Sequence, residues 1–167
     1  MIDAIVLETP PGPLSLLEHD GAIVAAGFTP DPAAMHARLH RTLRPHPLRR
    51  VADLGDLGKR VGSYFDGDLD ALDDLPVNQP GNERMTRLWA ALREVRAGTT
   101  VNYAELAGMA GYPPSHARAA GGACARNLIA PIVPCHRVLP QAGGYGGYYY
   151  GPPVKRWLLA HEGATLP

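Results

Sequence analysis

The sequence predicts an α+β protein, with strands in the first half of the chain and helices in the second. Three short apolar runs, at 2–9, 13–20 and 21–28, are separated by Pro-Pro-Gly-Pro and His-Asp-Gly, which favour turns. The second half instead repeats apolar residues at helical spacing. We therefore expect a small N-terminal domain with a three-stranded antiparallel sheet, followed by a mostly helical C-terminal domain.

Two helices are expected to flank this sheet. Residues 31–43 open with Asp31 in the N-cap position and Pro32 at the first helical position, where a missing N–H does no harm. A second helix is expected near residues 59–68, whose apolar residues fall on one face. The acidic, turn-rich stretch at residues 68–82 is the best candidate for a linker between the domains.

The domain division follows from this linker. We expect an N-terminal α+β domain at residues 1–80, with the acidic linker at its end, and a C-terminal domain at residues 81–167. Formal charge divides similarly: residues 1–83 hold 7 Lys/Arg and 13 Asp/Glu, net −6, whereas residues 84–167 hold 9 and 3, net +6. A basic half is typical of a domain that meets an anion such as nucleic acid, although two lobes of opposite charge also attract each other.

Three helices are predicted in the C-terminal domain. The first includes Met85 and is stopped by Gly98, a residue type that readily ends a helix. The second starts near Asn102 and ends at Gly111, and the third follows a Pro-Pro turn with Ser115 as its N-cap. The last two, joined by a tight Gly/Pro turn, have the outline of a helix-turn-helix.

The third of these helices is rich in small residues. Residues 117–123 read Ala-Arg-Ala-Ala-Gly-Gly-Ala, although a glycine within a helix costs roughly 1 kcal/mol relative to alanine. Small side chains allow a close approach to another surface, which is either a neighbouring helix or a nucleic-acid groove. In the second case Arg118 would project toward bases or phosphates.

The segment PIVPCHRV holds Cys135, and the only other cysteine is Cys124. Two cysteines do not make a disulfide framework, and no signal peptide or membrane span is recognisable, so we expect an intracellular, cytoplasmic protein. A thiol reacts as the thiolate, and the adjacent His136 can take its proton if a turn or a bridging water connects them. A carboxylate that orients the imidazole could come from Glu162. The alternative is that Cys135 is simply a small buried hydrophobic residue.

Taken together, these residues resemble the O6-alkylguanine-DNA alkyltransferases. The motif VPCHRV follows the Arg118 helix and precedes a Gly/Tyr loop and the sequence KRWLLAHEG, and the similarity covers residues 86–163 well. The N-terminal strands are similar more loosely, and residues 30–80 match poorly. The resemblance implies a ribonuclease H-like N-terminal domain and a helix-turn-helix that lies in the minor groove of DNA.

The function implied by this resemblance is direct-reversal DNA repair. An alkyl group on O6 of guanine, and also on O4 of thymine, would pass irreversibly to Cys135 after the damaged nucleotide has rotated out of the stack. Each molecule would act once, as a monomer, on double-stranded DNA that contains the alkylated base. No cofactor, metal or membrane is expected.

The resemblance also implies a role for each site residue. Cys135 matches the alkyl acceptor, His136 the general base acting through a water, and Glu162 the carboxylate that orients it. Tyr103 matches the residue that helps to rotate the nucleotide and protonates the leaving guanine at N3. The other implied DNA-binding residues are Arg118, which enters the duplex in place of the base, Ala104, Tyr112 and Gln141. The implied base pocket is formed by Asn127, Val138, Tyr148, Tyr149 and Lys155.

Within this implied pocket, Asn127 matches a hinge that braces the site, and the backbone carbonyl of Val138 reads the exocyclic amine of the base. Tyr148 matches a pocket wall, and the backbone N–H of Tyr149 is directed at O6. Lys155 lies near the leaving oxygen. The run of bulky tyrosines beside the pocket would either narrow it or add stacking surface for a base.

Two other functions stay open at this point. A non-catalytic reader of alkylguanine would not need the cysteine, and relatives of that kind have lost it. A cysteine-dependent alkyl acceptor that acts on a small molecule, with DNA binding lost, would fit the zero net charge. A zinc site at His36 and His40, four residues apart on the predicted helix, has no third ligand nearby, so we expect no metal.

Overall fold

The N-terminal sheet has four strands in the order β3-β2-β1-β4. The strands are β1 (Ile2–Leu7), β2 (Leu14–His19), β3 (Ala22–Gly27) and β4 (Leu48–Arg50), and α2 (Asp56–Phe65) follows them. The first three strands pair antiparallel, as predicted, and the β2–β3 turn places Asp20 and Gly21 at positive φ, as a two-residue hairpin turn requires. The three residues of β4 add a parallel partner to β1, so the sheet is mixed rather than purely antiparallel.

The structure is a computed structural model and describes residues 1–165, so the last two residues of the predicted C-terminal domain lie outside it. The chain divides into two compact units. The first unit holds Met1–Pro80 together with Leu128–Ile132, and the second holds Gly81–Asn127 together with the chain from Val133 onward. Strands with helices in the first unit and mainly helices in the second give the α+β class that the sequence predicts.

The first helix, α1, spans Pro32–Ala37 and is capped as predicted. The Asp31 carboxylate accepts a hydrogen bond from the backbone N–H of Ala33 at 3.1 Å. The predicted extension to residue 43 is wrong, because the chain leaves the helix and forms turns. In those turns Leu39 and Leu43 are buried and join the core cluster that also contains Leu17, Val24 and Met35.

The two histidines considered as zinc ligands do not share a helical face, because α1 ends at Ala37. Nε2 of His36 lies 2.7 Å from the carbonyl oxygen of His46, and Nδ1 of His40 lies 2.8 Å from the hydroxyl of Thr42. Within residues 1–165, no group of three or more His, Cys, Asp or Glu side chains is placed to hold a metal ion.

The acidic segment at 68–82 contacts β3 at Ile23, which forms a parallel bridge with Val77. Leu72 and Leu75 are buried, and the backbone N–H of Ile23 donates to the carbonyl of Pro76 at 2.9 Å. Residues 68–80 of this segment belong to the first unit.

Within the described residues, the second unit contains four α-helices and two short 3₁₀ turns. The helices are α3 (Glu83–Leu92), α4 (Tyr103–Met109), α5 (Ala117–Ala125) and α6 (Pro152–His161), and the 3₁₀ turns cover Pro114–His116 and Cys135–Arg137. Helix α3 ends before the predicted stop at Gly98, and Val95 is buried in the turn that follows. The prediction of Ser115 as an N-cap is wrong, because the preceding prolines start a 3₁₀ turn and α5 begins only after it.

Helices α4 and α5 pack against each other and correspond to the predicted helix-turn-helix pair. A short parallel bridge ties the entrance of α4 to the segment after the Cys135 turn. In this bridge, the N–H of Val101 donates to the carbonyl of Arg137 at 3.0 Å, and the N–H of Leu139 donates to the carbonyl of Val101 at 2.8 Å. The bridge brings the start of α4 beside Cys135.

No helix within the described residues is long and apolar enough to cross a membrane.

The capping box of α4 gives a test of this local structure. The Asn102 side chain accepts from the N–H of Glu105 at 2.8 Å, and the Glu105 carboxylate accepts from the N–H of Asn102 at 2.9 Å. We expect Asn102→Ala to lower the free energy of unfolding by about 1 kcal/mol. Asn102→Ser keeps a capping oxygen and should stay close to the wild type.

Urea unfolding followed by tryptophan fluorescence measures this change. Both tryptophans, Trp89 and Trp157, lie in the second unit, so their signal reports the unfolding of that unit. Equal midpoints for Asn102→Ala and the wild type would contradict a stabilising role for the cap.

Candidate active site

The Cys135 thiol is presented by the 3₁₀ turn Cys135–Arg137. The N–H of Cys135 donates to the carbonyl of Val133 at 2.9 Å, and the N–H of Val138 donates back to the carbonyl of Cys135 at 3.2 Å. In this turn the thiol is half-buried, whereas His136 and Arg137 are buried. The turn supplies the geometry that an extended strand would lack, since neighbouring side chains on a strand point to opposite faces.

The Glu162 carboxylate, at the end of α6, is shared between these two buried side chains. Nε2 of His136 lies 2.9 Å from Oε2 of Glu162. Arg137 donates from Nε to Oε1 and from Nη2 to Oε2, both at 2.9 Å, which is a bidentate pair. Nη1 of Arg137 donates to the carbonyl of Val95 at 2.6 Å, so the guanidinium also contacts the turn after α3.

These contacts set the charges of the site. Burial opposes ionisation of Glu162, but His136 and Arg137 outweigh it and hold the pKa of the carboxyl well below its ordinary value of 4.5. Burial also holds the pKa of His136 below its ordinary value of 6.5, although Glu162 acts in the opposite direction. At neutral pH the carboxylate is therefore ionised and the imidazole is neutral.

A neutral imidazole beside an ionised carboxylate has a defined tautomer. Glu162 can only accept, so Nε2 of His136 must carry the proton, and Nδ1 is left with a lone pair. Nδ1 is buried and has no hydrogen-bond partner among the described residues. A single ring nitrogen is thus available to take a proton from a nearby group.

The thiol itself is not strongly acidic. Burial raises the pKa of Cys135, and a hydrogen bond with Asn127 and the charge of Lys155 offset only part of that rise. Burial and the neighbouring Cys135 also raise the pKa of Cys124, on α5. Because a protonated thiol is a poor nucleophile, chemistry at Cys135 requires a proton acceptor.

Lys155 is a buried cation beside the two thiols. Its Nζ donates to the carbonyl of Val138 at 2.9 Å and to that of Gly147 at 3.2 Å. Burial lowers the pKa of Lys155, and Cys135 and Cys124 act against this. The lysine therefore links α6 to both the Val138 segment and the Gly/Tyr loop.

Two further predicted residues border the thiol. Tyr103 opens α4, and burial and then the two cysteines raise the pKa of its phenol. Its ring lies against α5 at Gly121, where an added Cβ would sit 3.9 Å from ring carbons. The side chain of Asn127 is buried and donates to the carbonyl of Val133 at 2.7 Å, bracing the segment that leads to Cys135.

The remaining predicted residues lie farther out on the second unit. Arg118 is exposed on the first turn of α5. The ring of Tyr112 stacks on His116, with centroids 5.1 Å apart. Gln141 lines a surface groove of about 400 Å³ together with the first turn of α4. Ala104 lies in that first turn, Tyr148 is half-buried, and Tyr149 is 67% exposed.

Sequence reasoning missed the role of Arg137. The residue was read only as part of the Cys-His-Arg motif, yet it makes three of the hydrogen bonds that hold the site together. Residues 84–167 contain only three acidic residues, Glu94, Glu105 and Glu162, so a buried arginine there has few possible partners. This small number of acidic residues is the feature of the sequence that could have indicated the pairing of Arg137 with Glu162.

Comparison with known proteins relates this site to a family. The family described as 6-O-methylguanine DNA methyltransferase, DNA binding domain, matches residues 83–164. A methylated-DNA–protein-cysteine methyltransferase of Mycobacterium tuberculosis is 34% identical over 167 residues, which cover 100% of this chain and 96% of the relative. The protein of that name from Shigella flexneri is 39% identical over 112 residues, 67% of this chain and 65% of the relative. The match therefore spans less than two-thirds of the Shigella protein.

A similar fold is found in the crystal structure of Mycobacterium tuberculosis OGT in complex with DNA. That chain superposes with a TM-score of 0.79 and 30% sequence identity, and the match covers 96% of this chain and 92% of the other.

The charges of the site predict how the stability of the second unit depends on pH. Glu162 and His136 both have folded-state pKa values below their ordinary values, so the unfolded chain binds more protons in acid. Stability should be full above pH 6.5, begin to fall below it as unfolded His136 protonates, and fall further below pH 4.5 as Glu162 follows.

Tryptophan-detected urea unfolding across this pH range measures the effect. Glu162→Gln should be less stable than the wild type at neutral pH and should lose less stability below pH 4.5. A wild-type midpoint that stays constant from pH 6.5 to well below 4.5 would contradict the assigned charges.

Proposed function

This chain belongs to the methylated-DNA–protein-cysteine methyltransferase family, and we propose that it repairs DNA by moving the alkyl group of O6-alkylguanine onto Cys135. The reaction is irreversible and stoichiometric, so each molecule acts once. O4-alkylthymine is a second proposed substrate, because it presents an alkyl group on an exocyclic oxygen in the same way. No cofactor takes part in the proposed transfer.

The proposal rests mainly on the arrangement of Cys135, His136 and Glu162. Glu162 keeps the proton of His136 on Nε2, so Nδ1 can accept the thiol proton through a bridging water. The thiolate then attacks the alkyl carbon, a sulfur–carbon bond forms, and the bond from that carbon to O6 breaks. The electron pair returns to the guanine, which takes a proton at N3 from Tyr103. The thioether product has no route back to the thiol.

The groups around the thiol suit the pocket roles that the family resemblance implies. The carbonyl of Val138 already accepts from Lys155, but its second lone pair remains for the exocyclic amine of the base. Lys155 supplies positive charge near the leaving O6. Asn127 braces the site, Tyr148 forms a wall, and the backbone N–H of Tyr149 contacts O6.

The proposed partner is double-stranded DNA that contains the alkylated base, bound through its minor groove by a monomer. Tyr103, on the first turn of α4, helps to rotate the nucleotide, and Arg118, on the first turn of α5, fills the space that the rotated base leaves in the duplex. Additional contacts to DNA come from Ala104, Tyr112 and Gln141.

The proposed chemistry lies in the C-terminal of the two predicted domains. Residues 81–167 form the alkyltransferase domain, and residues 1–80 form the N-terminal α+β domain. An intracellular site of action follows from the proposed substrate, since the protein must reach DNA.

The two cysteines provide a matched pair of variants. Intact-protein mass spectrometry after incubation with duplex containing O6-methylguanine should show the gain of one methyl group by the wild type and by Cys124→Ser. Cys135→Ser should gain none while still binding the duplex, because only the acceptor sulfur is lost.

The other outcomes separate the alternative functions. A wild-type protein that gains no methyl group but retains the damaged duplex tightly would be a reader of alkylguanine rather than a transferase. One that neither gains a methyl group nor shows salt-dependent DNA binding would fit an acceptor for a small molecule.

A further inference from the structure

A basic groove lies on the second unit, and Cys135 is not among the described residues that line it. It has a volume of about 690 Å³ and is lined by the beginning of α3, the 3₁₀ turn before α5, and α5 itself. Arg84, Arg118 and Arg126 are part of its lining, and none of the described residues that line it is acidic. Arg84 and Arg126 have no place in the site described so far.

Three of the arginines that line the groove are left without an acidic partner in the described part of the chain. Arg84, Arg118 and Arg126 are all exposed, and none of them forms an ion pair with an acidic side chain in the described part of the chain. Arg126 donates one hydrogen bond, from Nη1 to the carbonyl of Gly122 at 3.3 Å, which holds the guanidinium over α5. Its other N–H donors remain available, and guanidinium donors suit phosphate oxygens in particular.

Small residues form part of the lining of the groove. Ala119, Gly122 and Ala123 line it and carry at most a methyl group. The guanidinium of Arg126 folds back to the carbonyl of Gly122, so it lies in the same groove as Arg118. A duplex presents phosphates repeatedly along its backbone, so each guanidinium in such a groove can meet a phosphate.

We propose that Arg84 and Arg126 each bind a backbone phosphate of duplex DNA while α5 lies against the duplex. Their contacts position the protein without reading sequence, in contrast to the role of Arg118 within the duplex. This inference rests on the proposed function, because it takes DNA as the partner. It adds a phosphate-binding surface formed jointly by α3 and α5.

The salt dependence of DNA binding tests this proposal. The affinity for a fluorescently labelled, undamaged duplex is measured by anisotropy over a series of salt concentrations. The slope of log K against log salt is negative, and each lost phosphate contact reduces its magnitude by about 0.9. We therefore expect the magnitude to fall by about 1.8 for Arg84→Ala/Arg126→Ala. Arg84→Lys/Arg126→Lys keeps both charges and should retain most of the wild-type slope.

Arg156→Ala is the matched control. Arg156 is an exposed arginine on α6 that lies over the ring of Tyr145, outside the groove, so its removal should leave the slope unchanged. A wild-type slope in the double alanine variant would overturn the proposal, and so would an equal decrease per charge in Arg156→Ala. Methyl transfer to the wild type, read by mass, tests the proposed function separately, because the slope is measured without a lesion.

Discussion

The buried carboxylate of Glu162 is the constraint on which the rest of the site depends. Both of its oxygens are occupied, by the guanidinium of Arg137 and the ring of His136. Because a guanidinium stays charged throughout the accessible pH range, Arg137 keeps the carboxylate ionised, and the carboxylate determines which ring nitrogen of His136 carries the proton. Removing one partner of such a buried pair costs about 3–5 kcal/mol, so the contact that prepares the base also stabilises the unit.

The contact between Arg137 and Glu162 also fixes the position of the Cys135 turn. Arg137 ties the Cys135 turn to Glu162 at the end of α6 and to the carbonyl of Val95 after α3. The bridge between Val101 and Val138 connects the residue before α4 to the segment that follows the Cys135 turn. Cys135 is therefore held where several elements meet, next to a neutral base. A thiol that stays protonated until its proton is taken is less exposed to oxidation, because the thiolate is the reactive form.

Local signals predicted much of this arrangement, and the failures have physical causes. The three antiparallel strands follow from short apolar runs separated by turn residues, and the α1 cap follows from Asp31 placed before Pro32. The three-residue β4 is too short to show a pattern in the sequence. The end of α1 was missed because Leu39 and Leu43 keep helical spacing while packing from turns. In the site, the Cys-His-Arg motif identified the thiol and its neighbour. The pairing of Arg137 with Glu162 joins residues 25 positions apart and depends on tertiary packing, which spacing alone does not reveal.

Nitrogen-15 NMR of histidine-labelled protein at neutral pH reads the protonation of His136 most directly. Its signals are assigned among the seven histidines by difference with His136→Gln. We expect a neutral ring with the proton on Nε2 and a non-protonated Nδ1. An imidazolium, or a neutral ring protonated on Nδ1, would contradict the central claim that Glu162 holds His136 ready to accept the thiol proton.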